Sequence, residues 1–247
     1  MQDAVAYFAI RLICGVGLML CVMPRTNVPS PFFRIMLLVV LGLAVLLALT
    51  SPAALWWGVA LSVVAFAGSV CWLLERRPAG TAAIGIVFAL SLVAAYFVLR
   101  TSPTFVASYR SSWLATASTF ASAATLGAAL TGMLLGHRYL TAPGMPLAPL
   151  MQLNACLGVA SVVRFLVSAM ALASAMGALT QSIFWIWLAL RWLAGILGPM
   201  AVCVMVQRIL RYRNTQAATG VLFVGVILTF IGELTADLLQ RALNVPF

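Results

Sequence analysis

The chain has 247 residues, of which 64% are hydrophobic and 7% charged, and its mean hydropathy is +1.14. A soluble domain carries about a quarter of its residues as charges, so a water-soluble globular protein is excluded and an all-α, polytopic integral membrane protein is expected. The formal charge of +10 rests on 14 arginines against four acids. They are scattered between apolar segments, not clustered on a soluble face, which excludes a nucleic-acid partner.

A helix crossing a bilayer needs roughly 20 mostly apolar residues. Eight segments meet that length, at about 4–23, 32–49, 53–74, 80–99, 113–136, 150–175, 182–207 and 216–240. They read as one transmembrane helical domain over residues 1–247, with no soluble domain. Their apolar runs are continuous and lack the alternation of barrel strands. The first segment lacks a basic n-region and is read as a span, not as a cleavable signal. It carries Arg11, four residues before Gly15. Trp56 and Trp57 open the third segment and Trp113 the fifth, where an aromatic belt at the membrane interface is expected.

The fifth segment is rich in small residues and contains Gly132-x-x-x-Gly136, a spacing that lets helix backbones approach closely. It ends in His137, Arg138 and Tyr139, a titratable ring, a fixed cation and a phenol at the membrane edge. These are donors of the kind a quinone headgroup requires, although a solvated or capping histidine is the plainer reading. The following stretch, HRYLTAPGMPLAP, has three prolines and Gly144 and reads as an ordered, non-helical excursion. The sixth segment carries Arg164, four residues before Ser168.

The seventh segment contains WIWLALRWLAG, with Arg191 between Trp187 and Trp192. Pro199 is the one proline inside a span and is expected to kink it about two turns beyond Arg191, because it removes a backbone donor. The connection after it, QRILRYRNTQ, is the most basic stretch, a topology anchor or a docking point for a partner. In the last segment Thr229, Glu233, Asp237 and Gln240 recur at helical spacing and form one polar stripe.

The arginines also report orientation. Connections 1–2, 3–4, 5–6 and 7–8 hold Arg25, Arg34, Arg76, Arg77, Arg138, Arg208, Arg211 and Arg213, while the opposite side holds Arg100, Arg110 and Arg241. Short loops rich in arginine stay cytoplasmic. Both termini are therefore expected outside, which in a bacterium means periplasmic, with the chain in the inner membrane.

Arg11, Arg164 and Arg191 remain inside spans. A charge near the bilayer centre costs at least about 2.5–3.5 kcal/mol on insertion scales, so such groups face the bundle interior and are partnered. Arg191 and Glu233 lie about three and about five residues to the periplasmic side of their span midpoints, at about 1.5 Å per residue. Spans joined by a short loop are neighbours, so Arg191 is expected to pair with Glu233, with Asp237 beside them. Arg11 and Arg164, with the His137 group, are the candidates for a quinone or other ligand. Structural ion pairing is the alternative reading.

Chemistry of other kinds is thinly supplied. The single histidine cannot give the two axial ligands of a b-type haem, and CxxCH is missing. No cysteine set fits an iron–sulfur cluster, and no His/Asp/Glu group resembles a metal site. Cys14, Cys21, Cys71, Cys156 and Cys203 read as small buried apolar residues. No catalytic centre and no cofactor bound by this chain alone are expected; quinone is the expected ligand.

Eight spans, out-facing termini and few cofactor ligands are loosely similar to the quinone-interacting membrane anchors of bacterial respiratory complexes. The analogy is one of fold, carried by no motif. It implies a cofactor-free subunit of an electron-transfer complex, with other membrane or peripheral subunits, lipids and quinone as partners. The alternative is a small transporter or channel for an anionic or amphipathic solute. A lipid-processing enzyme is disfavoured by the scarcity of acid and base groups.

Overall fold

A computed structural model describes residues 2–101, 113–142, 144–175 and 181–243. Among them no strand occurs, and eight helical spans are long and apolar enough to cross a membrane. The protein is an all-α polytopic membrane protein. Its helices are α1 (Gln2–Val22), α2 (Ser30–Thr50), α3 (Leu55–Leu73), α4 (Arg77–Thr101), α5 (Trp113–Thr141), α6 (Ala148–Ala175), α7 (Ser182–Trp192), α8 (Gly198–Arg211) and α9 (Thr215–Leu243). A 3-10 turn, Pro52–Ala54, leads into α3, and α7 and α8 form one span through a π-helical stretch, Leu193–Leu197. Arg110 and Pro143 lie outside the described residues.

The sequence reads as a single domain; the chain falls into two compact units, Met1–Ser102 and Pro103–Phe247. In the first, α1 packs on α2, α2 on α3, α3 on α4, and α4 on α1. In the second, α5 packs on α6, α6 on α8, and α9 on α5, α7 and α8. Each unit is thus a four-span bundle in which the last span closes on the first. Short connections make consecutive helices antiparallel neighbours, and closure buries an inner stripe from every helix.

Helix ends explain the tight turns. Beyond α3, Arg76 N–H donates to Cys71 O at 2.9 Å and Glu75 N–H to Trp72 O at 3.4 Å, with Glu75 at φ 55°. This is the hydrogen-bond pattern that glycine usually closes. Glu75 accepts the left-handed position while its Oε2 takes a 2.7 Å bond from Ser30 Oγ at the start of α2. Arg213, at φ 56°, turns the chain between α8 and α9, and Gly144, at φ 101°, turns it between α5 and α6.

The sequence places a kink at Pro199; the structure places a π-helical stretch just before it. Gly198 N–H donates to Leu193 O, five residues back. Proline has no N–H to give and its ring crowds the preceding turn, and one widened turn absorbs both effects. Trp56 and Trp113 are 79% and 68% exposed, as residues of an interfacial belt should be. Cys14 is buried, but Cys21, Cys71, Cys156 and Cys203 are only half-buried free thiols on helix flanks, so full burial describes one cysteine of the five.

Candidate functional site

The inner face of the second unit holds a cluster of charges. Glu233, on α9, is fully buried, as are Arg164 on α6 and Arg191 on α7. Arg164 grips the carboxylate with two bonds, Nε to Oε1 at 3.0 Å and Nη2 to Oε2 at 2.9 Å. Arg191 Nη1 donates to Oε1 at 2.9 Å, and Ser122 Oγ, from α5, to Oε2 at 2.6 Å. Each carboxylate oxygen therefore has two donors, and all four spans of the unit contribute.

Most of the remaining guanidinium donors are also used, Arg191 Nε excepted. Arg164 Nη1 reaches Ser118 Oγ at 2.7 Å and Ser118 O at 3.3 Å. Arg191 Nη2 reaches Ser168 Oγ at 3.0 Å, and its Nη1 also reaches Gly232 O at 3.4 Å. Breaking one member of a buried ionic set costs about 3–5 kcal/mol, because the others are left charged and unpaired. Dense hydrogen bonding is what makes such a set tolerable in a low-dielectric interior.

Local structure explains how these side chains meet. Glu233 follows Thr229 by one turn on the buried stripe of α9, and Asp237 continues it one turn further, 8% exposed. Beside the stripe the backbones come unusually close. A Cβ built on Gly232 would lie 1.9 Å from Gly195 Cα, and one on Gly195 would lie 2.9 Å from Arg191 Nη1. Only glycine at both positions lets the π-helical stretch reach α9 and set Arg191 against the carboxylate. One to two turns along the helices, Ala171, Leu188, Ala236 and Leu239 form an apolar layer, with Trp187 and Trp192 packed against it. The tryptophans flanking Arg191 thus help to exclude water from its charge.

The other residues singled out in the sequence lie elsewhere. Arg11, on α1 of the first unit, is 2% exposed; its Nε donates to Tyr7 O at 3.4 Å and its Cζ sits 4.2 Å from the Tyr7 ring centroid. That geometry is a cation–π contact. His137, Arg138 and Tyr139 diverge because consecutive helical residues point about 100° apart, at 3.6 per turn. His137 is exposed, and half-buried Arg138 reaches Thr141 Oγ1 at 3.4 Å. Tyr139 is buried, and its hydroxyl donates to Pro146 O, tying the α5–α6 connection to the helix. Tyr139 lines a cavity of about 670 Å³ together with Gly144, Pro146, Leu147, Arg213 and Thr215.

Sequence reading missed Ser118 and Ser122 as members of the set, the bond of Ser168 to Arg191 and the bond of Arg164 to Glu233. The two serines stand four apart in a span read as small-residue packing, yet that spacing on one face matches the stripe of α9. Chain order pointed to the helix next to α9 and gave no sign that α6 also reaches it.

The fold and this cluster define a polytopic helical membrane protein whose second unit has a closed ionic core. Comparisons with family models, with curated proteins and with solved structures give no match for the chain.

Proposed function

We propose that the chain is an integral subunit of a multi-subunit electron-transferring complex, respiratory in type, in the bacterial inner membrane. It anchors the subunits that carry the redox centres and lends them a quinone site. The observation that carries this reading is the closed cluster of Arg164, Arg191 and Glu233. A carrier has to expose the groups that grip its solute, whereas these side chains are 0% exposed and grip one another. A locked core suits a scaffold.

In this reading the quinone headgroup occupies the cavity beside Tyr139, whose volume falls within the range of small-molecule sites, about 300–1,000 Å³. Arg213 and Thr215 supply donors for its carbonyl oxygens, and His137, at the same end of α5, supplies a proton route to the cytoplasmic face, with Arg138 a fixed cation beside it. Arg11 and Arg164 act as packing residues. The arginine-rich connections support a cytoplasmic position for this end of the unit and a periplasmic one for both termini.

One observation favours the second reading, a carrier for an anionic or amphipathic solute. The π-helical stretch follows Arg191 directly, and such stretches recur at functional sites and bends. The two readings separate in liposomes containing this chain alone. Labelled carboxylates should cross no faster than through protein-free liposomes. Flux that Arg164→Ala abolishes would transfer the function to the carrier.

A further inference from the structure

A second cavity, of about 440 Å³, lies between α6 and α8. Its apolar lining includes Ala155 and Val204, which is 53% exposed. Its polar lining includes Gln207, Arg208 and Arg211, the arginines one and two turns beyond Val204 on the same face of α8. Both arginines are exposed and stand in the last turn of α8, three residues apart and so on one face. Asn154 forms the floor, about 9 Å along α6 from its start at 1.5 Å per residue. The groove therefore runs from the headgroup level toward the hydrocarbon.

The floor orients the polar side. Asn154, 2% exposed, donates Nδ2 to Cys203 O at 3.0 Å and to Gln207 Oε1 at 3.3 Å. Cys203 Sγ donates back to Asn154 O at 3.2 Å. With its oxygen held by Asn154, the Gln207 amide keeps its NH₂ as the donor beside the two guanidinium groups. All three are donors, two carry positive charge, and the lining residues include no acid.

We propose that this groove binds the phosphate of an anionic phospholipid, with an acyl chain lying along Ala155 and Val204. Guanidinium groups match phosphate oxygens in geometry and charge, and basic pockets between spanning helices on the cytoplasmic side suit anionic headgroups. The apolar wall distinguishes a lipid from a free anion. The site is separate from the cavity beside Tyr139 and does not depend on the quinone reading.

Native mass spectrometry of the full chain in detergent tests this with phosphatidylglycerol, phosphatidylcholine and inorganic phosphate as separate probes. Phosphatidylglycerol should be retained in preference to phosphatidylcholine. Arg208→Gln with Arg211→Gln should weaken it about 30-fold, each arginine contributing one surface-charge increment. Both side chains are exposed, so the fold should survive, and unchanged thermal midpoints check that it does. Asn154→Leu, which releases the Gln207 amide, should weaken binding less. Arg76→Gln with Arg77→Gln, in the other unit, should leave it unchanged. Equal retention of phosphatidylcholine, an unaltered affinity in the Arg208/Arg211 variant, or an equal loss in the Arg76/Arg77 variant would overturn the groove. Inorganic phosphate binding as tightly as phosphatidylglycerol would overturn the lipid.

Discussion

Glu233 takes two donors on each carboxylate oxygen, and the unequal grips of its partners make the cluster testable one side chain at a time. Arg164 is bidentate and also holds Ser118, whereas Arg191 gives the carboxylate a single bond. Arg164→Leu should therefore destabilise more than Arg191→Leu. Glu233→Leu should destabilise most, at about 3–5 kcal/mol, since it strands two buried guanidinium groups. The sequence suggests that Arg191→Leu with Glu233→Leu partly recovers stability. The structure predicts that it does not, because Arg164 stays charged without the carboxylate it grips; the triple leucine variant should recover further. Thermal midpoints in one detergent rank these variants, and recovery in the double variant would show that Arg164 lies outside the cluster. The depth of Arg191 and Glu233 was readable from the sequence, because helical rise converts residue number into distance. The share taken by Arg164 and Ser122 was not, because it depends on which non-consecutive helices touch.

Among the helices, the π-helical stretch and α9 meet at the closest approach of the described glycines. Gly232→Ala would force apart two backbones, since its Cβ falls 1.9 Å from Gly195 Cα. Overpacking of a filled interior costs about 1–3 kcal/mol, and a backbone obstacle belongs at the upper end. Gly220→Ala, on the same helix, meets nothing within 4 Å. There alanine should leave stability unchanged or raise it by up to about 1 kcal/mol through helix propensity. Equal effects at the two positions, measured by thermal unfolding, would remove the close approach from the account. Hydropathy located the eight spans because lipid demands continuous apolar length, and prolines marked their ends. It could not show the widened turn, because a change from four- to five-residue hydrogen bonding leaves the pattern of apolar residues almost untouched.

For the chain as a membrane protein, the arginine distribution predicts orientation as well as span number. A reporter fused at Asn214 should give a cytoplasmic signal and one at the C-terminus a periplasmic signal. The reverse would move the Tyr139 cavity and the Arg208–Arg211 groove to the outer face and remove the proposed proton route. Division into two four-span units was not readable, because hydropathy marks each span and carries no record of which spans close on one another.

Isolation of the native protein in mild detergent from cells that produce it bears on the assignment as a complex subunit. The protein should travel with partner subunits that absorb visible light and should retain quinone, and Arg213→Gln should lower the quinone without dispersing the partners. A stable, colourless, partner-free protein that transports a carboxylate when reconstituted would contradict that assignment.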